Sequence, residues 1–258
     1  METQAPDPRF STTLARGLSI LRAFRPTDSG LTNQEISRRT GLPPPTVSRL
    51  SYTLCALGYL THGRKHGKYR LGPAALALGN IAAAAFTFAD TAAPVLQRLA
   101  DATGTLIGIA IADDARMLLT RTWRPVGSAS IWLEPGYRLP VAASSTGKAW
   151  LAAASDAEFD RLCATLAARG EVSADALHAL RQQAAREWQA HGFTRLEGDA
   201  HFSSNINSVA VPYRPHEFGS PVVFLSGATF DEISAERIRS TVGPALARMV
   251  AGLRERPV

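Results

Sequence analysis

The chain has 258 residues, of which 45% are hydrophobic, so it is long enough for two domains that each bury a core. Its longest apolar tract, residues 74–89, is mostly alanine and is interrupted by Gly79 and Asn80, which is too weak for a membrane span. No secretory signal is recognisable and two cysteines fit neither a disulfide framework nor a zinc site, so we expect a cytoplasmic protein without a membrane partner.

The formal net charge of +6 is unevenly distributed along the chain. The first 72 residues contain 11 basic and four acidic side chains, whereas the remainder contains 17 and 18, and no acidic residue occurs between Glu35 and Asp90. Clustered cations without carboxylates suit a polyanion, because phosphates repel carboxylates and release counterions to cations. The alternative is a basic face that only keeps the protein in solution.

The first two predicted elements are short helices. Leucines at helical spacing predict a helix over residues 11–24, which ends before Pro26. Thr32 and Glu35 form a capping-box pattern, which predicts a second helix from Asn33 to about Thr40. A glycine follows at position 41 and allows a left-handed turn after that helix.

A third helix is predicted to begin at the prolines of "GLPPPTVSRL", residues 41–50, because proline suits the first turn of a helix. Gly58 is expected to end it. Its expected buried stripe consists of Val47, Leu50, Leu54 and Leu57. Residues 59–62 and 68–71 then read as a hairpin with a basic tip. Two helices joined by a glycine turn and followed by a hairpin predict a winged helix-turn-helix over residues 1–72.

Such a domain is typical of DNA binding, with its last helix in the major groove. The residues expected to face DNA from the third helix are Thr46, Ser48, Arg49 and Tyr52. Arg64, Lys65 and Lys68 of the hairpin are also expected to contact DNA, with the phosphate backbone or the minor groove as the target of the tip. Arg49 is the best candidate for a guanine edge or a phosphate, the alternative being an exposed arginine that only aids solubility.

The segments "LARGLSILRAF", "LTNQEISRRTGLPPPTVSRLSYTLCALGYL" and "KYRLG" resemble the DNA-binding domain of the IclR family of bacterial regulators. Members often carry a Lys-Ser pair where this chain has Pro44 and Pro45. That departure removes one basic backbone contact near the helix start and implies a changed operator preference.

Residues 73–104 are alanine-rich and predict linker helices, with Pro94 marking the restart of a second helix that ends at Gly104. In the family such a helix separates the two domains and contributes to dimer contacts, so the resemblance implies the same here. The family also implies a homodimer or a dimer of dimers on a pseudo-palindromic operator of double-stranded DNA.

Residues 105–258 predict an α+β domain with an antiparallel sheet. The expected strands are "LIGIAIAD" and "MLLTRTWR", paired as a hairpin, and later "NSVAVPY" and "PVVFLSGATF". Helices are expected over residues 144–154, in two further segments up to His191, and over residues 233–253.

The segments "GYRLPVAASSTGKAWLA" and "HGFTRLEGDAHFSSNINSVAVPY" resemble two further signatures of the family, although Gly198, Asp199 and Ala200 stand where paired acids are usual. The resemblance implies an effector-binding domain related to GAF and PAS domains. It places the effector, a small organic or aromatic acid, at Ser145, Thr146, Ser208 and Ser226. The alternative for the last two is that they only bond within their strands. Trp123, Trp132 and Phe193 are candidates for a pocket wall, or else belong to the core.

No enzyme is expected, because the six histidines form no metal-binding or catalytic spacing and no nucleophile motif accompanies them. We therefore expect no catalytic residues, no metal and no cofactor. Two functions remain at this point. One is a transcriptional regulator whose operator binding is controlled by a small molecule, and the other is a DNA-binding protein whose second domain serves only oligomerisation.

Overall fold

The computed structural model describes residues 9–63, 67–84, 87–127, 133–196, 202–203, 205–215 and 219–254. The chain divides into two compact units, Met1–Phe86 and Thr87–Val258. Among the described residues no single helix is long and apolar enough to span a membrane, although the bent pair Pro73–Ala84 and Thr87–Thr103 meets the length and composition criteria together.

The first unit begins with three helices: α1 Thr12–Arg22, α2 Asn33–Thr40 and α3 Pro44–Ala56. Local capping fixes both ends of α2. Thr32 and Glu35 form the expected capping box, in which each side chain accepts a hydrogen bond from the other residue's backbone N–H. Gly41 ends α2 at a φ of 73°, a left-handed conformation that glycine adopts without steric cost.

A two-stranded hairpin, β1 Leu60–His62 and β2 Tyr69–Leu71, follows α3 and is antiparallel. Leu31 extends it by a bridge to Tyr69, with the two backbone hydrogen bonds at 2.7 and 2.9 Å. Helix α4, Pro73–Ala84, begins directly after the hairpin. A Cβ at Gly72 would lie 2.3 Å from the Gly58 carbonyl oxygen, so the chain passes at a distance that only glycine permits.

The core of the first unit is small and consists of Ile20, Leu31, Ile36, Val47 and Leu60. The predicted buried stripe of α3 is wrong at its end, because Leu57 is 61% exposed and Ser51 is fully buried instead. Leu57 is the C-cap residue, with φ −88° and ψ 0°, so the chain has left the helix there. It therefore no longer follows the helical phase that sets the stripe.

The second unit opens with α5, Thr87–Thr103. The predicted restart at Pro94 is wrong, because this proline lies inside α5 and the helix begins seven residues earlier. Pro94 is exposed, and so is Asp90, whose carbonyl would otherwise accept the missing hydrogen bond. Water can hydrate that carbonyl, which explains why the helix tolerates the proline. Gly104 ends α5 at a φ of 69°, as predicted.

A six-stranded antiparallel sheet forms the centre of the second unit, in the order β5-β4-β3-β8-β7-β6. Its strands are β3 Leu106–Asp113, β4 Arg116–Trp123, β5 Arg138–Pro140, β6 Thr194–Leu196, β7 Ile206–Tyr213 and β8 Val222–Thr229. The four long strands were predicted from their β-rich segments. The strands β5 and β6 were missed because three residues are too few to display an alternating pattern.

Helices cover both faces of the sheet, which explains why β7 and β8 are buried over seven of their eight residues. One face packs against α6 Ser145–Ala153, α7 Asp156–Ala168 and α8 Ala174–His191 in a cluster that includes Leu106, Ala210 and Leu225. The opposite face packs against α5 and α10, Gly243–Arg254. We call these the α6 face and the α5 face.

The predicted final helix is divided. The short helix α9, Ala235–Arg237, leads into a π-helical segment, Ile238–Val242, and then into α10. Gly243 begins α10 where Phe193 packs against the backbone, since a Cβ there would lie 2.5 Å from the Phe193 ring.

Helix α7 is fixed at its start by the carboxylate of Glu158, which is 8% exposed. It accepts hydrogen bonds from the backbone and hydroxyl of Ser155, from the Ser220 hydroxyl at 2.5 Å, and from the Arg214 guanidinium at 3.2 Å. A buried carboxylate with four such donors stays ionised.

Candidate functional site

The exposed side of α3 is a stripe formed by Pro45, Ser48, Arg49 and Tyr52. These positions are spaced i, i+3, i+4 and i+7, so they lie on one face of the helix. The opposite stripe, which has the same spacing, contains the buried Val47 and Ser51. Tyr52 is 77% exposed, which is unusual for an aromatic side chain with no partner to cover it.

Three of the four residues predicted on this face, Ser48, Arg49 and Tyr52, share the exposed stripe. The fourth, Thr46, is half-buried and lies beside it. Pro45 occupies the first position of the stripe and was missed. The sequence contained a signal for Pro45, because it lies three, four and seven residues before Ser48, Arg49 and Tyr52.

The basic residues of the first unit differ in how available they are to contact DNA. Arg39 forms a two-pronged ion pair with Asp28, at 2.5 and 2.9 Å, and also donates to the Ala23 carbonyl. The Arg39 hydrogen bond lowers the pKa of the Asp28 carboxyl, against the raising effect of burial. Lys68 is half-buried, with its amine 3.5 Å from the Ser29 hydroxyl. Arg64 and Lys65 lie outside the described residues.

The angle between α2 and α3 is held by side chains of α2. The Asn33 amide donates to the Pro44 carbonyl at 3.3 Å, and the Ser37 hydroxyl donates to the Leu42 carbonyl at 2.6 Å. Both bonds join α2 to the turn or to the start of α3. They therefore fix where the exposed stripe points relative to the rest of the unit.

In the second unit, the start of α6 is built for close approach to the strand before it. The Ser144 hydroxyl caps the helix by accepting from the Gly147 N–H at 3.0 Å and donates to the Pro140 carbonyl at 2.7 Å. A Cβ at Gly147 would lie 2.0 Å from the Val141 carbonyl oxygen. Only glycine fits there, so α6 begins pressed against the backbone that leads into it.

Ser145 and Thr146, the first two residues of α6, are each 1% exposed. Their N–H groups have no acceptor within the helix, and they make no hydrogen bond to another residue in the described ranges. These two amides form the positive end of the α6 dipole. The positive charge of the nearby Lys148 is balanced by an ion pair, because its amine lies 2.5 Å from the Glu187 carboxylate. The same amine donates a hydrogen bond to the Arg195 carbonyl at 2.9 Å.

Ser208 lies on the α6 face, near the start of α6. The Thr194 hydroxyl donates to the Ser145 carbonyl at 2.9 Å, and Thr194 is paired across the strands with Ala210. Ser208 is two residues from Ala210 and therefore on the same face, one step along the strand. It is 5% exposed, and its hydroxyl has no hydrogen-bond partner among the described residues.

Ser226 lies on the other face of the sheet. Ser208 is paired with Gly227, so the neighbouring Ser226 points toward α5. Its hydroxyl is 2.8 Å from that of Thr105, which is 2.6 Å from that of Thr103 at the end of α5. The structure thus places Ser208 on the face of the sheet that packs against α6, the helix of Ser145 and Thr146, and places Ser226 on the opposite face.

The aromatic residues considered for the pocket wall lie in different parts of the second unit. Phe193 is 4% exposed and packs against α10 at Gly243, so it belongs to the core of the α5 face. Trp123 is half-buried at the end of β4. Trp132 lies outside the described residues, as do Gly198, Asp199 and Ala200, so their relation to the site is not described. No group of three or more His, Cys, Asp or Glu side chains in the described ranges is placed to hold a metal ion.

Sequence models of two domains match the chain. The model of the IclR helix-turn-helix domain matches residues 13–63. The model described as the bacterial transcriptional regulator IclR C-terminal domain matches residues 82–218. Together they span both units and more than half of the sequence.

Individual proteins match over most of their length. The HTH-type transcriptional regulator TsaQ1/TsaQ2 of Comamonas testosteroni is 27% identical over 240 residues, which cover 92% of this chain and 85% of that protein. A crystal structure of an IclR family transcriptional regulator from Brucella abortus has a TM-score of 0.81 at 33% identity, covering 99% of this chain and 95% of that one.

A third related structure contains a bound ligand. The crystal structure of an IclR homolog from Microbacterium hydrocarbonoxydans, complexed with 4-hydroxybenzoate, has a TM-score of 0.68 at 24% identity, covering 95% of this chain and 100% of that one. At this identity the likeness concerns the fold.

Proposed function

Because the chain belongs to the IclR family of bacterial transcriptional regulators, we propose that α3 reads an operator in the major groove and that a small organic acid bound in the second unit controls this reading. The observation that carries the proposal is the exposed stripe of α3, which presents Ser48, Arg49 and Tyr52 on the most basic part of the chain. The protein is a DNA-binding regulator and not an enzyme. A regulator acts where the DNA lies, so a cytoplasmic location is part of the proposal.

Within this proposal Arg49 is the main reader of the operator. Its guanidinium is exposed and sits mid-stripe, where a recognition helix contacts base edges or phosphates. Ser48 and Tyr52 flank it, and Thr46 at the edge of the stripe contacts the backbone. Lys68 of the hairpin contacts phosphate together with two basic residues at its tip, Arg64 and Lys65.

The effector is proposed to bind at the start of α6. The Ser145 and Thr146 amides and the Ser208 hydroxyl, none of which has a partner within the part of the chain that the structure describes, are donors that a carboxylate can accept from. The 4-hydroxybenzoate of the Microbacterium homolog is an acid of this class. All three residues are at most 5% exposed, so binding requires the protein to open locally, and this couples occupancy to conformation. Ser226 is left out of this site because it faces α5.

A second copy of the chain is proposed to cover an apolar groove of about 490 Å³ in the first unit. The groove lies between α1, α3 and α4, and Leu14, Leu57 and Leu78 along it are each at least 55% exposed. Helix α4 has no charged residue, so it offers nothing to DNA or to a charged partner. A homodimer, alone or paired as a tetramer, would cover it and would place two copies of α3 on the half-sites of a pseudo-palindromic operator.

Fluorescence anisotropy against DNA from upstream of the protein's own gene, with a scrambled duplex for comparison and a salt series, tests the DNA-binding part. Arg49→Ala should weaken specific binding by about 5- to 150-fold, corresponding to about 1–3 kcal/mol for a lost guanine contact. Arg98→Ala removes the same charge from an exposed position on α5 and should leave binding unchanged. Equal losses in the two variants would contradict the role of Arg49.

The alternative, in which the second unit serves only oligomerisation, is distinguished by thermal unfolding in the presence of small acids. A ligand at a hundredfold excess over Kd raises the free energy of unfolding by about 2.7 kcal/mol. All four tryptophans lie beyond residue 86, so their fluorescence reports on the second unit. We expect a stabilising acid, beginning with 4-hydroxybenzoate and related acids. We also expect Ser208→Ala to reduce its effect. Unfolding unchanged by every acid of a broad panel would favour the alternative.

A further inference from the structure

The recognition helix has an unusual front end. Pro45 begins its exposed stripe, and the two residues before it are also exposed prolines. Positions near the N-terminus of a recognition helix are the ones that reach base edges in the major groove. Pro45 shares a face with Arg49, one helical turn further on, so a groove that accommodates the arginine also brings the proline ring to the bases.

This front end offers almost no hydrogen bond to DNA. Pro44 and Pro45 have no N–H, and the first amide of the ladder, that of Val47, donates to the Pro43 carbonyl. The Pro44 carbonyl already accepts from the Asn33 amide. Pro43 provides no side-chain cap. What remains to contact the groove at position 45 is therefore an apolar pyrrolidine ring.

An apolar ring distinguishes between base edges. Covering a donor or acceptor such as the cytosine amine removes its water without replacing the lost hydrogen bond. The C5-methyl of thymine is the apolar group that the major groove presents. Contact with that methyl group buries apolar surface on both sides and leaves no polar group unpaired.

The geometry points to Pro45 as a specificity-determining residue that contacts the C5-methyl of a thymine beside the base read by Arg49. This inference rests on the proposed function, because it requires α3 to lie in the major groove. Pro45 then selects thymine over cytosine by packing, while Arg49 selects its base by hydrogen bonding.

The test begins with the full-length protein and a random-sequence DNA library. Duplexes recovered by repeated selection should contain a thymine within one or two base pairs of the guanine whose contact is lost in Arg49→Ala. That thymine is then replaced by deoxyuridine, which removes only the methyl group. Affinities for the two duplexes are measured for the unsubstituted protein and for Pro45→Ser. Pro43→Ser is the matched control, since it makes the same change two residues earlier, outside the stripe.

We expect the unsubstituted protein and Pro43→Ser to lose about fourfold in affinity when the methyl group is removed, the factor for one buried methyl-sized group. Pro45→Ser should lose less than about twofold in affinity, roughly the scatter expected when the effects of two independent changes are compared. Serine is compatible with the first turn of a helix, and equal unfolding temperatures of the variants verify that the fold is kept.

Equal losses in Pro45→Ser and in the unsubstituted protein overturn the inference, as does a selected operator with no thymine at this place. In both cases the proposed function stands, because a specific operator has been recovered. A library that yields no enriched sequence with the unsubstituted protein contradicts sequence-specific reading itself, and the inference falls with it.

Discussion

Removing the Thr105 hydroxyl should destabilise the second unit more than removing the Ser226 hydroxyl, although both belong to one buried chain. The Thr103 hydroxyl donates to the Leu99 carbonyl at 2.7 Å and has no second proton. It must therefore accept from Thr105, which in turn must accept from Ser226. The protons thus all point from β8 toward the end of α5.

The direction of these hydrogen bonds determines how much each substitution lowers the free energy of unfolding. Ser226→Ala removes the first donor and costs about 1 kcal/mol, the net value of one hydrogen bond. Thr105→Val keeps the shape but leaves the fully buried Ser226 proton without an acceptor, so we expect a cost of about 2–4 kcal/mol. The double variant should cost less than Thr105→Val alone, because its orphaned donor is gone. Ser208→Ala removes a buried hydroxyl that has no partner and should be neutral or stabilising by about 1 kcal/mol.

Urea unfolding of the full chain, followed by tryptophan fluorescence, measures these differences in the second unit alone. Ser208→Ala serves as the matched control, since it is the same substitution on the neighbouring strand and the opposite face. If Ser226→Ala costs as much as Thr105→Val, or if the two costs simply add, the proposed direction of the chain is wrong.

Three further predictions follow from contacts described above. Burial raises the pKa of the Glu158 carboxyl, but hydrogen bonds from two serines and an arginine outweigh this effect and lower the pKa from 4.5 to about 2. The stability that the ionised carboxylate contributes above pH 4.5 should therefore be lost as the pH falls toward 2. A pH series of urea unfolding should show this loss and Glu158→Gln should flatten it; a variant that keeps the same pH dependence would refute the assignment. Gly147→Ala should lower the unfolding temperature of the second unit sharply, because its Cβ would overlap the Val141 carbonyl; an unchanged temperature would show that α6 can move away. Arg39→Met should destabilise the first unit by about 1–2 kcal/mol, because the Asp28 carboxylate loses its guanidinium and keeps only the hydrogen bond from the Arg25 N–H. Circular dichroism measures this loss, and a change within error would mean that water replaces the guanidinium.

Sequence reasoning succeeded where a signal is local. The second helix was predicted from the capping box of Thr32 and Glu35 and from Gly41, and its bounds are those of α2. The hydrogen bonds of the capping box and of the Gly41 turn join residues at most four positions apart, so the sequence alone displays them. The four long strands were likewise predicted from segments rich in residues that favour β-structure.

Sequence reasoning failed where solvent exposure or contacts distant in sequence determine the local structure. Pro94 was expected to break the linker helix, but an exposed carbonyl loses little when its intrahelical donor is missing, and exposure is not readable from the residue itself. Leu57 was expected to be buried from its phase, but the helix ends one residue earlier.

Ser208 and Ser226, the two strand serines expected at the effector site, show the division between sequence and structure most clearly. The sequence alone indicated that Ser208 and Ser226 each lie in a strand, and the structure shows that the two strands are neighbours and that both serines are buried. Which face each one occupies depends on register, and the tertiary structure pairs Ser208 with Gly227, not with Ser226. Side chains alternate between faces along a strand, so this offset of one residue places one hydroxyl near α6, without a partner, and the other against α5, in a hydrogen-bonded chain.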